Sequence, residues 1–379
     1  MSGIYLHIPF CKQACSYCDF YFVTKTDQQA VFVDALVKEI KDKKASSYSS
    51  ETVETIYFGG GTPSLLSVAQ IERILAAIRK TFQLDLKEVT IELNPDDVTR
   101  EYLAGLKSLG VHRVSMGVQT FDEELLRFMN RTHTAEEALK CLENLRDSEI
   151  NVFTADLIYG NPGQTVEMLA KDLETLLQFN PPHVSAYSLT IEPKTRLGKQ
   201  VELGRLLPAE DDLVERHFEL VEEKLSTRKI NRYEVSNFAK SGSEAVHNSN
   251  YWEHKNYVGF GPGAHSFWWK DGEENAMRWE NERDLYSYIK QKQSAQHALE
   301  YLDLHALAEE RLMLALRTRK GISMQELENK YGYSFSAKQQ MYLQGKVEEN
   351  KLILDHSLRL TPTGLKIADA LTLDLITLG

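Results

Sequence analysis

From residue 3 to about residue 190 the sequence alternates short β-branched runs with helical patterns, and no other feature restricts the fold as much. Runs near 3–8, 53–58, 88–93, 112–118, 152–158 and 183–189 read as strands. Between them lie segments such as QAVFVDALVKEIKDK and VAQIERILAAIRKTF, whose apolar residues return every three or four positions, the period of a helix with one buried face. Strands alternating with amphipathic helices build parallel βα units, so the fold class is α/β. Six such units make an incomplete barrel, and barrels of this kind gather their chemistry at the carboxyl ends of the strands.

Three of the four cysteines, Cys11, Cys15 and Cys18, fall within eight residues in YLHIPFCKQACSYCDF, directly after the first strand. Such crowding points to metal, because one short loop directs three thiolates at a single point and thiolates favour zinc or iron–sulfur centres. Three cysteines on a [4Fe-4S] cluster would leave one iron open. Structural zinc would need a fourth ligand, His7 or a residue from elsewhere. A disulfide framework suits this chain poorly: it shows no secretory n-region or apolar h-region and carries an odd thiol cluster, which points to a reducing cytoplasm. Cys141 lies in AEEALKCLENLRD, a helical pattern, and reads as core packing.

Other unusual residues sit at strand ends. YFGGGTPSLL places Gly59, Gly60 and Gly61 before Thr62, where the backbone can approach a ligand closely or simply turn. Glu92, Gln119 and Asp156 each end or follow a strand. Singly each reads as a cap or loop residue; together they form a ring of polar groups.

C-x-x-x-C-x-x-C preceded by YLHIPF resembles the radical S-adenosylmethionine superfamily, specifically the branch holding the oxygen-independent coproporphyrinogen III oxidase and the heme chaperones. The resemblance implies a partial (β/α)6 TIM-like barrel, a [4Fe-4S] cluster on the three cysteines, and S-adenosylmethionine chelated to the open iron and cleaved to a 5′-deoxyadenosyl radical. By the same likeness Gly60, Gly61 and Thr62 would recognise the methionine amino group. Glu92 and Asp156 would hold ribose or amine groups, Gln119 a ribose hydroxyl, and Arg131 the carboxylate, for which a planar guanidinium is suited. Tyr5, Tyr17 and Thr190 complete the implied cofactor contacts.

The chain departs from the oxidase pattern at Phe20, where the oxidase has a further cysteine, and in reaching Tyr5 without the oxidase's N-terminal extension. Residues 233–269 supply a second signal. All four tryptophans, Trp252, Trp268, Trp269 and Trp279, lie within 28 residues, interleaved with Tyr251, Tyr257, Phe260, Phe267 and with His247, His254 and His265. A flat macrocycle with an iron centre needs aromatic walls and an imidazole; core or interface packing explains the same density. HNSNYW is similar to the H-N-x-x-Y-W motif of the heme chaperone branch, which makes His247 the expected axial ligand, with Asn248, Tyr251 and Trp252 around it. His254 and His265 are expected to be satisfied core histidines. A patch around Trp268 and Trp269, if exposed, would serve a partner as readily as a porphyrin.

Three regions follow: a barrel over 1–200, an extension carrying the aromatic and histidine segment over 201–300, and a C-terminal module over 301–379. The last runs as helices, a short hairpin and a final helix, a winged-helix-like α+β order. From 303 to 379 ten Lys/Arg face ten Asp/Glu, without the basic face of a groove reader. A lid or docking role over the barrel mouth is the expectation. The formal charge of −11 argues against a nucleic-acid partner, and no stretch approaches the roughly twenty apolar residues that span a bilayer. The expected function is a cytoplasmic heme chaperone, its catalytic turnover unspecified. Heme-acceptor apoproteins, membrane-associated respiratory enzymes among them, an electron donor such as flavodoxin or ferredoxin, and a homodimer are the expected partners. The alternatives are coproporphyrinogen oxidation and a zinc-stabilised interaction protein.

Overall fold

The computed structural model describes residues 2–150, 152–270, 274–290 and 297–379. Strands β1 (Ser2–Ile8), β2 (Thr52–Gly60), β3 (Gln83–Leu93), β4 (Arg113–Gln119), β5 (Val152–Tyr159) and β6 (His183–Ser188) stand where the β-branched runs place them. Each pairs in parallel with the next. The crossovers carry α1 (Gln29–Asp42), α2 (Val68–Thr81), α3 (Arg100–Ser108), α4 (Glu123–Phe128), α5 (Ala135–Arg146) and α6 (Val166–Leu177). Helix α2 shows why these segments are helical. Ser67 and Gln70 close a capping box at its start, and Ile71, Ile74, Leu75 and Ile78 recur on one buried stripe. Each such side chain contributes ~1.5–3 kcal/mol on burial, so docking on the sheet rather than propensity holds the helix. Cys141 is buried in α5, as its helical pattern suggests.

After the barrel come α7 (Arg196–Glu202), α8 (Asp211–Ser226), β7 (Asn231–Arg232), β8 (Asn237–Ala239), α9 (Val246–Trp252), β9 (Asn256–Phe260), β10 (His265–Trp269), β11 (Asn275–Glu280), α10 (Leu285–Lys290) and β12 (His297–Asp303). These strands join the barrel's own sheet, whose order is β12-β11-β10-β9-β1-β2-β3-β4-β5-β6-β8-β7. β9 runs parallel to β1, while β10 to β12 return antiparallel beyond it. β8 covers the other edge, antiparallel to β6. Trp268, Trp269 and Trp279 are buried in this extension. The exposed tryptophan patch is thus corrected: Trp268 packs edge-on to Tyr48 at 4.9 Å, and Trp269 Nε1 donates to the His254 carbonyl at 2.8 Å.

The C-terminal module comprises α11 (Leu304–Leu316), β13 (Ile322–Ser323), α12 (Met324–Tyr331), α13 (Ala337–Glu348), β14 (Leu352–Leu354), β15 (Ser357–Leu360), α14 (Pro362–Leu365) and α15 (Ala368–Thr377). Its antiparallel sheet, β13-β15-β14, and its helix, strand, helix, helix, hairpin order are those of a winged helix. Gly332, at φ +60°, ends α12 in the left-handed region that favours glycine. The core of the module includes Phe267 and Trp269 from β10 and Leu302 from β12, so the extension and the module bury one another. No helix among the described residues is long and apolar enough to cross a membrane.

Side chains alternate across strands, so the inward residues of the barrel stack in layers. Gly3, Thr55 and Glu88 share the lowest register; Tyr5, Tyr57 and Thr90 lie above; His7, Gly59, Glu92 and Ser115 stand near the carboxyl ends.

Candidate functional site at the barrel mouth

The loop from Pro9 to Gln28 carries the three cysteines and is pinned on several sides. Cys11 N donates to Val23 O at 3.0 Å, Val23 N to Pro9 O at 2.7 Å, and Ser16 N to Met129 O at 3.0 Å, while Leu197 N from α7 donates to Ser16 O at 2.9 Å. Lys12 reaches Asp96 at 2.9 Å and also pairs with Asp97. Glycines make the approach of β2 to this loop possible. Gly61 N donates to Ile8 O at 2.8 Å and Thr62 N to Phe10 O at 2.7 Å. A Cβ on Gly61 would stand 2.7 Å from the Phe10 carbonyl oxygen and 3.0 Å from Cys11 Sγ; one on Gly60, at φ +107°, would stand 2.7 Å from the His7 ring. GGGT therefore straps the cysteine loop to the second strand.

Around the sulfurs the polar groups are few and specific. Thr62 Oγ1 donates to Cys11 Sγ at 3.6 Å, and Arg131 Nη1 to Cys15 Sγ at 3.4 Å. The Arg131 guanidinium also bonds Tyr17, Asn94 and the Gly117 carbonyl, yet its Nε is buried without a partner among the described residues. Burial pushes the Cys11 thiol up to about 11 and the Cys18 thiol up to about 12, so ligation of a metal here releases protons.

All three cysteines open on one cavity of about 990 Å³ that runs down into the barrel. Its wall includes Tyr5, Tyr17, Gly60, Gly61, Thr62, Glu92, Gln119, Arg131, Asp156 and Thr190. The structure thus brings together every residue that the sequence marks for the cofactor. Burial raises the Glu92 carboxyl to about 7, against a bond from Tyr57 Oη at 2.7 Å and with Asp156 nearby adding to the rise. Burial likewise raises Asp156 to about 6, with Ser185 and Ser115 as bonding partners. Gln119 sits at φ +66°, a conformation that non-glycine residues keep mainly where surrounding structure imposes it. Besides Arg131 Nε, Thr90 Oγ1 and His183 Nδ1 face this cavity as buried polar atoms without partners.

The H-N-x-x-Y-W segment forms α9 and is divided by the fold. Asn248 and Tyr251 line the cavity. His247 lies beneath it in the barrel floor, 1 % exposed, with Nδ1 2.8 Å from Thr55 Oγ1 and Nε2 2.7 Å from Tyr251 Oη. Its ring stacks on Tyr57 at 5.0 Å, and burial lowers its pKa to about 3. The backbone amides of Val246 and His247 donate to Glu88, which also binds Arg113 at 3.0 Å. In this structure both imidazole nitrogens are engaged, and His247 is not among the residues that line the cavity. Trp252 lies elsewhere again, in a smaller recess with Tyr233, Glu234 and Arg311.

Residues 5–176 match the Radical SAM superfamily and residues 302–367 the HemN C-terminal domain. Heme chaperone HemW of Lactococcus lactis is 38% identical over 338 residues, 88% of this chain and 86% of that protein. Heme chaperone HemW of Bacillus subtilis is 36% identical over 88% of each chain. The chain belongs to the HemW family of radical S-adenosylmethionine proteins. The mitochondrial radical S-adenosyl methionine domain-containing protein 1 of Danio rerio is also similar, 34% identical over 86% of this chain and 75% of its own length. Coproporphyrinogen III oxidase (HemN) from Escherichia coli shares the fold, with a TM-score of 0.82 at 22% identity over 99% of this chain and 90% of that one.

The site of this family member fits the superfamily's [4Fe-4S] cluster and S-adenosylmethionine. Cys11, Cys15 and Cys18 line one cavity wall, and three thiolates on a four-iron cluster leave one iron open to the cofactor. His7 is not a spare fourth ligand, because its Nε2 lies 2.8 Å from Tyr21 O and its Nδ1 3.2 Å from Tyr5 Oη. The orphaned Nε of Arg131 offers a donor to a carboxylate.

Several cavity residues escape a reading of strand ends alone. Tyr57, Thr90, Ser115 and His183 line the interior and are marked only by polar side chains at alternate strand positions. On the extension, His265, Arg278 and Arg283 line the cavity too. The His265 side chain is 50 % exposed, which corrects its reading as a core histidine; His254, by contrast, is buried and stacked on Phe267 at 4.5 Å. The module contributes Glu310 and Leu314 from α11. Glu310 bonds Arg278 at 3.0 Å, and Arg278 pairs through Phe267 and Tyr257 to Gly3 in the lowest layer. The module therefore closes the cavity as a low side wall, not as a lid over the cysteines.

Proposed function

We propose that this chain binds heme in the cavity beside its cluster and S-adenosylmethionine, and passes it to acceptor apoproteins in the cytoplasm. The observation that carries the reading is the continuity of one cavity from the three cysteines to an aromatic wall of Phe20, Phe22, Tyr257 and Phe267. Its volume, about 990 Å³, stands at the top of the usual ~300–1,000 Å³ for a small-molecule pocket, which favours more than one occupant. The relatives' name, heme chaperone HemW, supports the same cargo.

In this reading Cys11, Cys15 and Cys18 hold the cluster. Gly60, Gly61 and Thr62 border the methionine end of the cofactor, Arg131 offers Nε to its carboxylate, and Glu92, Asp156 and Gln119 meet its amine and ribose groups. Tyr5, Tyr17 and Thr190 pack around it. The cluster and S-adenosylmethionine supply one-electron chemistry when bound, with reduced flavodoxin or ferredoxin as donor. Asn248 and Tyr251 face the heme from below, while His247 holds Tyr251 in place. The three regions, 1–200, 201–300 and 301–379, then act as cofactor barrel, heme wall and supporting module.

The test is transfer. Protein reconstituted anaerobically is loaded with ferric heme and mixed with apomyoglobin, and the Soret band is followed. Saturable loading followed by appearance of holomyoglobin is the expected result. Absence of saturable heme binding, or conversion of coproporphyrinogen at a useful rate, would overturn the assignment.

A further inference from the structure

Among the described residues four histidines line the cavity: His7, His183, His254 and His265. The three other than His265 are buried. His7 has both nitrogens engaged. His183 is buried deep in the barrel with Nε2 2.8 Å from Tyr233 Oη. His254 is buried between Phe267 and Tyr331, its Nδ1 3.2 Å from Tyr331 Oη. His265 differs in being half exposed, with a carboxylate oxygen of Glu280 3.8 Å from Nε2, beyond hydrogen-bond distance.

The fold fixes where this imidazole stands. Gly261 and Gly263 take φ +96° and +76° and press the loop before β10 against His7 O and Tyr21. Ser266 Oγ then accepts from Gly259 N at 2.9 Å, and Phe267 pairs with Tyr257. His265 and Phe267 consequently present one face of β10 to the cavity. The cysteine loop contributes Phe20, an aromatic ring left 68 % exposed, and Phe22 to the same cavity. Two cations border the same wall: Arg278, whose neighbours are Glu300 and Glu310, and Arg283, bonded to Glu280.

Resting on the heme reading above, we propose that His265 is the imidazole that ligates heme iron in this cavity, with Arg278 and Arg283 placed for the two propionates. An apolar macrocycle against Phe20 buries aromatic surface that otherwise meets water. Turning one His265 nitrogen to the iron leaves the other for Glu280, the carboxylate partner that commonly orients a metal-bound histidine. Guanidiniums match carboxylates in bidentate geometry.

The experiment titrates ferric heme into wild-type protein, His265→Ala, His247→Ala and the double variant Arg278→Ala/Arg283→Ala, with absorption and electron paramagnetic resonance spectra at saturation. His265→Ala should lose the imidazole-ligated spectrum and weaken binding at least about tenfold, with added imidazole restoring the wild-type spectrum. The arginine variant should keep the spectrum and bind more weakly. His247→Ala, checked as folded by circular dichroism, should keep the wild-type ligation. A wild-type spectrum from His265→Ala overturns the ligand assignment and leaves heme binding standing. Failure of the wild type to bind heme saturably overturns both.

Discussion

The floor and the mouth of this barrel use the same side chains to opposite ends. At the floor His247 is enclosed by Thr55, Tyr57 and Tyr251, and Glu88 joins two α9 amides to Arg113. At the mouth Cys11, Cys15 and Cys18 are half-buried and His265 is half exposed. A buried polar network that satisfies its members rigidifies the fold, whereas a group with a spare ligand position is available to chemistry. Occurrence within a motif does not separate the two roles; the partners each side chain already has do.

Substitutions that act on one region and spare the other sharpen this contrast. The largest expected effect is at the mouth: Cys15→Ala should abolish cluster incorporation, read as iron and sulfide content and loss of the broad visible band, while the far-ultraviolet circular dichroism is retained. Global unfolding of that variant would mean that the loop carries a structural metal. At the floor, Arg113→Ala leaves Glu88 buried without its cation, and breaking a buried pair in this way costs about 3–5 kcal/mol; urea unfolding should show a loss of that size. His247→Ala strips Thr55 and Tyr251 of a partner, each unsatisfied buried group costing about 1–3 kcal/mol. It should lower stability by about 2–4 kcal/mol without altering cluster content.

A smaller effect is electrostatic. Glu92 is neutral below its raised pKa of about 7 and charged above it. A proton is thus held more tightly in the folded state, and burial disfavours the ionised form increasingly as pH rises from the usual carboxylate range toward 7. If the carboxylate form binds S-adenosylmethionine, affinity should rise severalfold between pH 6 and pH 8, since one pKa unit corresponds to about 1.4 kcal/mol. Glu92→Gln should flatten that profile in equilibrium binding measurements on the reconstituted protein.

How much of this was legible follows from the range of each signal. The six strands and their helices are local patterns, and so is the cysteine spacing; both stand in the structure as read. Strand ends expose Glu92, Gln119 and Asp156, but Tyr57, Ser115 and His183 emerge only from alternation along whole strands, combined with knowledge of which face is inward. β9 pairs with β1, from the opposite end of the barrel sequence, and no local pattern carries that pairing. The same holds for His247, whose burial depends on Thr55 and Glu88, nearly two hundred residues away in β2 and about a hundred and sixty in β3. His265 follows a glycine-rich turn that sequence marks as a loop; only the extension of the sheet shows that it ends at the cavity wall.

Hydrogen–deuterium exchange with and without bound heme tests the division between mouth and floor most directly. Heme should protect residues 17–23 of the cysteine loop, 257–268 along β9 and β10, and 278–285, while the exchange of peptides over 246–250 stays unchanged. Protection confined to 246–252, with the mouth unchanged, would contradict the account and return the heme to the motif helix.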